Sequence, residues 1–245
     1  MPQDFWGRVV YLLQTRGSSY AMGALNTMII ALVSTFIGCV IGFAVGIVQT
    51  IPVSKKDSVW KKGILGIIKF ILGVYVEVFR GTPMVVQIMI AFNLIHMNLP
   101  TVQFGILNLD LSRIVPGIIV LSLNSGAYIS ESVRAGIESI PKGQIEAAYS
   151  LGIRPWNTMR YVVLPQAIKN ILPALGNEFV TIIKDSSLLQ TIGVMELWNG
   201  AQTVATTTYL TLTPLLFAAF YYLIVTTAMT ALLKQMEKRL GKGRK

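Results

Sequence analysis

The chain has 245 residues, 53% of them apolar and only 13% charged, with a net charge of +10 at pH 7. A soluble domain carries about twice that charged fraction, so the composition excludes an ordinary water-soluble globule and indicates an integral, helical, polytopic membrane protein. The basic excess does not indicate a nucleic-acid partner, because lysine and arginine gather in short segments between long uncharged runs, as cytoplasmic loops do.

Those uncharged runs cover Gly17 to Ser54, Gly81 to Leu109, Ile114 to Ser130 and Leu197 to Leu233. Several exceed the roughly 18 to 20 apolar residues that carry a helix across a hydrocarbon core. The first segment, Met1 to Ser19, has no short apolar core followed by a small-residue cleavage site, so it is not a cleavable signal. It is expected as an amphipathic segment along the outer interface, using Phe5, Trp6 and Tyr11. A first span follows near residues 20–50. Within it Gly38, Gly42 and Gly46 recur every fourth residue, a spacing that lets helices approach closely in lipid, whether the neighbour belongs to the same chain or to a second one. Cys39 is the only cysteine and His96 the only histidine, so metal sites and histidine-dependent triads have no material.

A basic cluster, Lys55, Lys56, Lys61 and Lys62, precedes a second span near 66–97. Arg80-Gly81-Thr82-Pro83 interrupts that span with a charge, a flexible residue and a helix breaker, so a kink or an unwound stretch is expected there. An outer loop near 98–112, bordered by Arg113, leads to a third span near 113–134. The polar segment 138–165 carries the second basic cluster, with Arg134, Lys142, Arg154, Arg160 and Lys169 in and around it. Pro141 and Gly143 launch a short helix, Gln144 to Leu151, which two alanines keep slim; Gly152 turns the chain and Pro155-Trp156 starts a second helix back to the membrane. A fourth span near 170–195, an outer loop near 196–210 and a fifth span near 211–234 follow. The basic tail 235–245 completes a third cluster: Lys234, Lys238, Arg239, Lys242, Arg244 and Lys245. Placing all three clusters in the cytoplasm requires an odd number of crossings, with the N-terminus outside and the C-terminus inside. Arg8 and Arg16 then lie outside, against the rule.

Charges at bilayer depth are costly and face a cavity or a partner. Glu178, Lys184 and Asp185 fall in the fourth span, where Asn177, Thr181 and Lys184 share one helix face. Arg80 and Thr82 lie at the broken helix, and Tyr128 and Glu131 on the third span. Two readings stay open for this set: groups lining a solute path, or ion pairs that hold the bundle, Arg80 with Glu131 or Glu77 and Lys184 with Asp185 or Glu178.

Glu146-Ala147-Ala148, then Gly152, then Leu164-Pro165 resembles the loop by which ATP-binding-cassette (ABC) importer permeases dock into their cytoplasmic ATPase. Arg80-Gly81-Thr82-Pro83 with Gln87, Ala127-Tyr128 with Glu131 and Arg134-Ala135-Gly136, Pro141 to Gln144, and Lys184-Asp185-Ser186-Ser187-Leu188 together resemble the branch that handles histidine, arginine, glutamine, glutamate, cystine or opines. The match runs from about Gly23 to the tail. It departs at Ser186, where the branch often has threonine.

The resemblance implies an all-α fold with five transmembrane helices, the type I ABC importer (MetI-like) permease fold, as a single domain over 1–245. It implies a bacterial plasma (inner) membrane location and a homodimer, or a heterodimer with a paralogous permease. Two cytoplasmic ATPase subunits and an external binding protein that delivers a polar or charged amino acid complete the assembly. Gly143, Glu146, Ala147, Ala148, Gly152 and Pro155 would couple to the ATPase. An amino acid carries a carboxylate and an ammonium, so Arg80, Thr82, Gln87, Tyr128, Glu131, Asn177, Glu178, Lys184, Asp185 and Ser187 form the candidate substrate set. The chain has no phosphate-binding loop, so no cofactor and no catalytic residue is expected in it; ATP and magnesium would be used by the partner. The alternatives are an ion-coupled secondary transporter, or a non-conducting structural subunit of a heteromeric pair.

Overall fold

The computed structural model describes residues 4–53, 58–95, 97–104 and 107–241. His96, Lys55, Lys56, Lys242, Arg244 and Lys245 lie outside the described residues. In chain order the elements are helices α1 (Phe5–Thr50), α2 (Val59–Gly81) and α3 (Met84–Leu94), strands β1 (Thr101–Phe104) and β2 (Leu107–Asp110), then helices α4 (Leu111–Glu138), α5 (Lys142–Ser150) and α6 (Pro155–Thr158). A π-helical turn (Met159–Val163) leads into α7 (Leu164–Asp185), which a 3₁₀ segment (Ser186–Ile192) extends, and α8 (Leu197–Thr208) and α9 (Leu212–Gly241) finish the chain. The two strands form an antiparallel hairpin with Thr101 opposite Asp110.

Among the described residues three helices are long and apolar enough to cross a membrane: Phe5–Thr50, Leu111–Glu138 and Leu212–Arg239. Helices α2 and α7, 23 and 22 residues long, match a span in length but are not among those three. The expected break in the second span is present. Thr82 and Pro83 are extended, with ψ of 146° and 131°, and separate α2 from α3, because Pro83 lacks an amide hydrogen and disfavours helix before it.

Two boundaries differ from the sequence reading. Residues 5–19, expected as a separate segment, continue α1 in one 46-residue helix; Gly17 costs only about 1 kcal/mol in a helix interior and does not stop it. The tail remains helical to Gly241.

The chain divides into two compact units, each built from separated stretches. One unit comprises Met1–Ser34, Pro83–Leu121 and Phe179–Ala231. Its core gathers Leu12, Tyr20, Leu197, Ala201, Val204 and Ala218, and Tyr20 stacks on Tyr221 with ring centroids 5.8 Å apart. The other comprises Thr35–Thr82, Ser122–Glu178 and Leu232–Lys245. Its core is Ile129, Val133, Ile137 and Ile140 of the α4 region against Val163, Ala167 and Ile171. The Gly38, Gly42 and Gly46 seam packs inside the chain, against α4: a methyl added at Gly46 would lie 2.7 Å from the Ser130 carbonyl oxygen, and one at Gly38 2.8 Å from Ser125 Oγ. Tyr75 Oη donates to the Leu123 carbonyl (2.5 Å) and Asn124 Nδ2 to that of Phe79 (2.9 Å), tying α2 to α4.

Candidate functional site

The polar segment folds much as its residues dictate. Pro141 serves as N-cap to α5, the expected short helix with its first boundary two residues earlier. At its far end Gly152 takes a left-handed conformation, φ 74°. The Gly152 amide donates to the Tyr149 carbonyl (2.9 Å) and the Ile153 amide to that of Ala148 (3.1 Å), the paired bonds by which a glycine closes a helix. Pro155 then opens α6 at its first turn, where its missing donor costs nothing.

Helix α5 has two faces. Ala148 is buried and Ile145 packs on the core beneath. Gly143, Glu146 and Ala147 face outward and exposed, as do Leu151 at 80% and Trp156 at 70% exposure. Of the expected coupling residues, Ala148 therefore seats the helix, while Glu146, Ala147, Gly152 and Pro155 stay accessible. The sequence reading missed two ties beneath it. Gln166 Nε2 donates to Gln144 Oε1 (2.6 Å), and Asn170 Nδ2 donates to Ser139 Oγ (2.9 Å).

The intramembrane polar groups are partly brought together. Arg80 lies with its guanidinium carbon 5.2 Å from the Tyr128 ring centre and Nη1 3.8 Å from Glu131 Oε2. The tighter partner of Glu131 is Arg134, whose Nη2 and Nε donate to its two oxygens at 2.7 and 3.3 Å, while Nη1 reaches Glu138 at 3.1 Å. This cluster holds both charge signs and an aromatic face, with Arg80 and Glu131 side chains 40% and 27% exposed. Of the ion pairs expected to hold the bundle, Arg80 with Glu131 is therefore present, at the longer distance. Thr82 Oγ1 turns back to the Val78 carbonyl (2.8 Å), and Gln87 is half-buried on α3. Asn177, Glu178, Lys184 and Asp185 all ride on α7, and Ser187 lies in the 3₁₀ segment beyond.

Glu196 is a buried carboxylate that the sequence reading passed over. It is 0% exposed and caps α8, accepting from the amides of Trp198 (2.9 Å) and Asn199 (2.6 Å) and from Tyr222 Oη (2.8 Å). Burial pushes its carboxyl above the ordinary value, against the downward pull of those donors. Next to it Asn26 Nδ2 donates to the Met195 carbonyl (2.6 Å) and the Leu197 amide to Thr27 Oγ1 (3.2 Å), so α1 and α9 are both fastened to this corner. The readable signal was a lone acid immediately before the uncharged run that starts at Leu197.

Residues 58–242 match the family described as binding-protein-dependent transport system inner membrane component. The chain is 36% identical over 218 residues to the glutamine transport system permease protein GlnP of Escherichia coli strain K12, covering 89% of this chain and 91% of that one. To the arginine transport system permease protein ArtQ of Bacillus subtilis strain 168 it is 35% identical over 218 residues, covering 89% and 90%. A crystal structure of an amino acid ABC transporter with histidines superposes with a TM-score of 0.78 at 33% identity, over 98% of this chain and 100% of that one. The fold is thus the all-α, MetI-like permease fold expected from the loop and span pattern. With its turn-bounded polar helix α5 and its apolar helices, the chain belongs to the inner membrane components of binding-protein-dependent transport systems, the permease subunits of ABC importers.

Proposed function

We propose that this permease imports a polar or charged amino acid by alternating access, driven by two separate cytoplasmic ATPase subunits and supplied by an external binding protein. It works as one half of a pair, with a second copy or a paralogue. Five crossings, with α2 and α7 added to the three most apolar helices, put the N-terminus outside and α5 and the C-terminus in the cytoplasm. ATP and magnesium are used in the partner ATPase, since no phosphate-binding loop exists in this sequence.

The observation that carries this reading is α5: a nine-residue helix with Ala148 buried beneath it and an outer face that presents Gly143, Glu146, Ala147 and Tyr149, bounded by turns at Pro141 and Gly152. That shape fits a cleft in a motor protein, and ATP-driven closure there would reach the spans as rigid-body motion. Relatives named for glutamine and arginine transport support an amino acid as solute. The Arg80 guanidinium or the freed amides after it would take the substrate carboxylate. Glu178 and Asp185 would take an ammonium or a basic side chain, and Thr82, Gln87, Tyr128, Glu131, Asn177, Lys184 and Ser187 complete the proposed substrate set.

Reconstitution of the whole transporter in proteoliposomes tests this. Uptake of labelled glutamine or arginine is expected only with ATP inside and binding protein outside, and Glu146→Lys is expected to abolish it. Uptake driven by a proton or sodium gradient without ATP would establish the secondary-transporter alternative instead. Within an active complex, Glu178→Gln is expected to shift substrate preference; unchanged preference and unchanged ATPase stimulation would remove Glu178 from the site.

A further inference from the structure

Helix α5 is joined to the rest of the chain by two soft connections. Residues 139–141 leave the helical path between α4 and α5, and residues 151–154 turn through Gly152 before α6. Apolar packing through Ile145 and Ala148 resists separation of α5 but not sliding, because it is non-directional. A motor pushing on α5 alone would lose part of its displacement in that slack.

Two side-chain hydrogen bonds remove the slack. Gln166 sits on the first turn of α7 and bridges three places: its Nε2 donates to Gln144 Oε1 of α5 at 2.6 Å and to the Val162 carbonyl of the π-helical turn at 2.7 Å. One turn on, Asn170 Nδ2 donates to Ser139 Oγ at 2.9 Å, and that hydroxyl donates to the Gly136 carbonyl of α4 at 2.8 Å. Hydrogen bonds are directional and fix register where packing does not. The pair lines a cleft of about 510 Å³ that also borders Lys169 of α7 and Glu237 of α9, so the joint is wet and its bonds exchange with water unless geometry holds them.

Gln166 and Asn170 are four apart, and the same face of α7 continues by helical spacing through Pro173 to Asn177, Thr181 and Lys184. One face of one helix thus carries the ties to α5 at its start and candidate solute-facing groups toward its end. We propose that Gln166 and Asn170 are positioning residues for transport: Gln166 locks the register between α5 and α7, and Asn170 that between α7 and the turn at Ser139 that leads into α5, so that displacement of the docked helix is delivered along α7 toward its candidate solute-facing groups instead of being absorbed at the turns. The proposal rests on α5 being the ATPase-docking element.

The test uses the complete complex of permease, ATPase and binding protein in proteoliposomes, with labelled glutamine or arginine as probe. In Gln166→Leu combined with Asn170→Leu, the ATPase is expected to co-purify and to keep its basal hydrolysis. Stimulation by loaded binding protein and the amount transported per ATP are expected to fall about tenfold, within the usual range of coupling between sites. The paired exchange Gln144→Glu with Gln166→Lys, which restores a polar link, is expected to recover most of that ratio. Transport per ATP at the wild-type level in the leucine variant would overturn the proposal, and so would loss of ATPase co-purification, which would place these residues in assembly. A second measurement is independent of that variant's folding. In a Cys39→Ser background, Gln144→Cys and Gln166→Cys bridged by a short bifunctional thiol reagent are expected to leave transport intact, because the joint stays closed through the cycle; arrest on bridging would also overturn it. Failure of the wild type to depend on ATP would instead defeat the docking reading itself, so the two failures are separable.

Discussion

At the residue scale the most consequential group is Glu196, fully buried and satisfied by two amides and one phenol. Replacing it with alanine orphans three donors, at about 1–3 kcal/mol for each one left without water or a new partner. Glu196→Ala is therefore expected to lower the thermal unfolding midpoint in detergent markedly, and Glu196→Gln, which keeps an acceptor, much less; equal midpoints for all three proteins would refute the corner's structural role. Its raised carboxyl value also sets a pH dependence. Folding favours the protonated form, so this contribution to stability is complete below the ordinary value of 4.5 and is lost as pH rises through the higher folded value. The midpoint of the wild type relative to Glu196→Gln is expected to fall as pH is raised above about 4.5, and a flat difference would contradict the assignment. The local sequence offers only its place as a lone acid before an uncharged run. Thr27 and Tyr222, which complete the corner, lie 169 residues before it and 26 after it in the chain, and only folding assembles them.

At the scale of elements helix α5 shows how much punctuation residues settle. Pro141, Gly152 and Pro155 place its ends within two residues of expectation because each acts through its own backbone dihedral, without help from tertiary contacts. A methyl at Gly152 would meet nothing within 4 Å, yet its φ of 74° excludes most side chains. Gly152→Val is expected to cost about 1–2 kcal/mol in that left-handed conformation and to cut binding-protein-stimulated ATPase several-fold, while Gly152→Asn, which tolerates it, is expected to retain most of the stimulation. Equal loss in both variants would mean that bulk at this position matters and conformation does not. The break at Thr82 and Pro83 was legible for the same local reason. The continuity of α1 was not, since mixed composition between Phe5 and Ser19 suits an interfacial segment and a helical extension alike.

At the scale of the whole molecule the placement of charge makes a topological claim. In a Cys39→Ser background, Tyr149→Cys is expected to react with a membrane-impermeant thiol reagent only from the cytoplasmic face, and Gln103→Cys only from the outer face; the opposite pattern would invert the topology. The sequence by itself determined the membrane class, the turn-bounded polar helix and the family, because hydrophobic run length, basic-loop bias and turn residues act locally and survive in any fold that satisfies them. Tertiary structure alone decided that the glycine seam of α1 packs on α4 within the chain, that Gln166 holds α5 and Asn170 the turn before it, and that Glu196 closes a buried corner. The physical reason is common to all three. Each joins residues through directional or close-packed contacts whose partners are chosen by helix rotation and register, and amphipathic periodicity leaves those choices open when both the lipid-facing and the protein-facing sides of a helix are apolar.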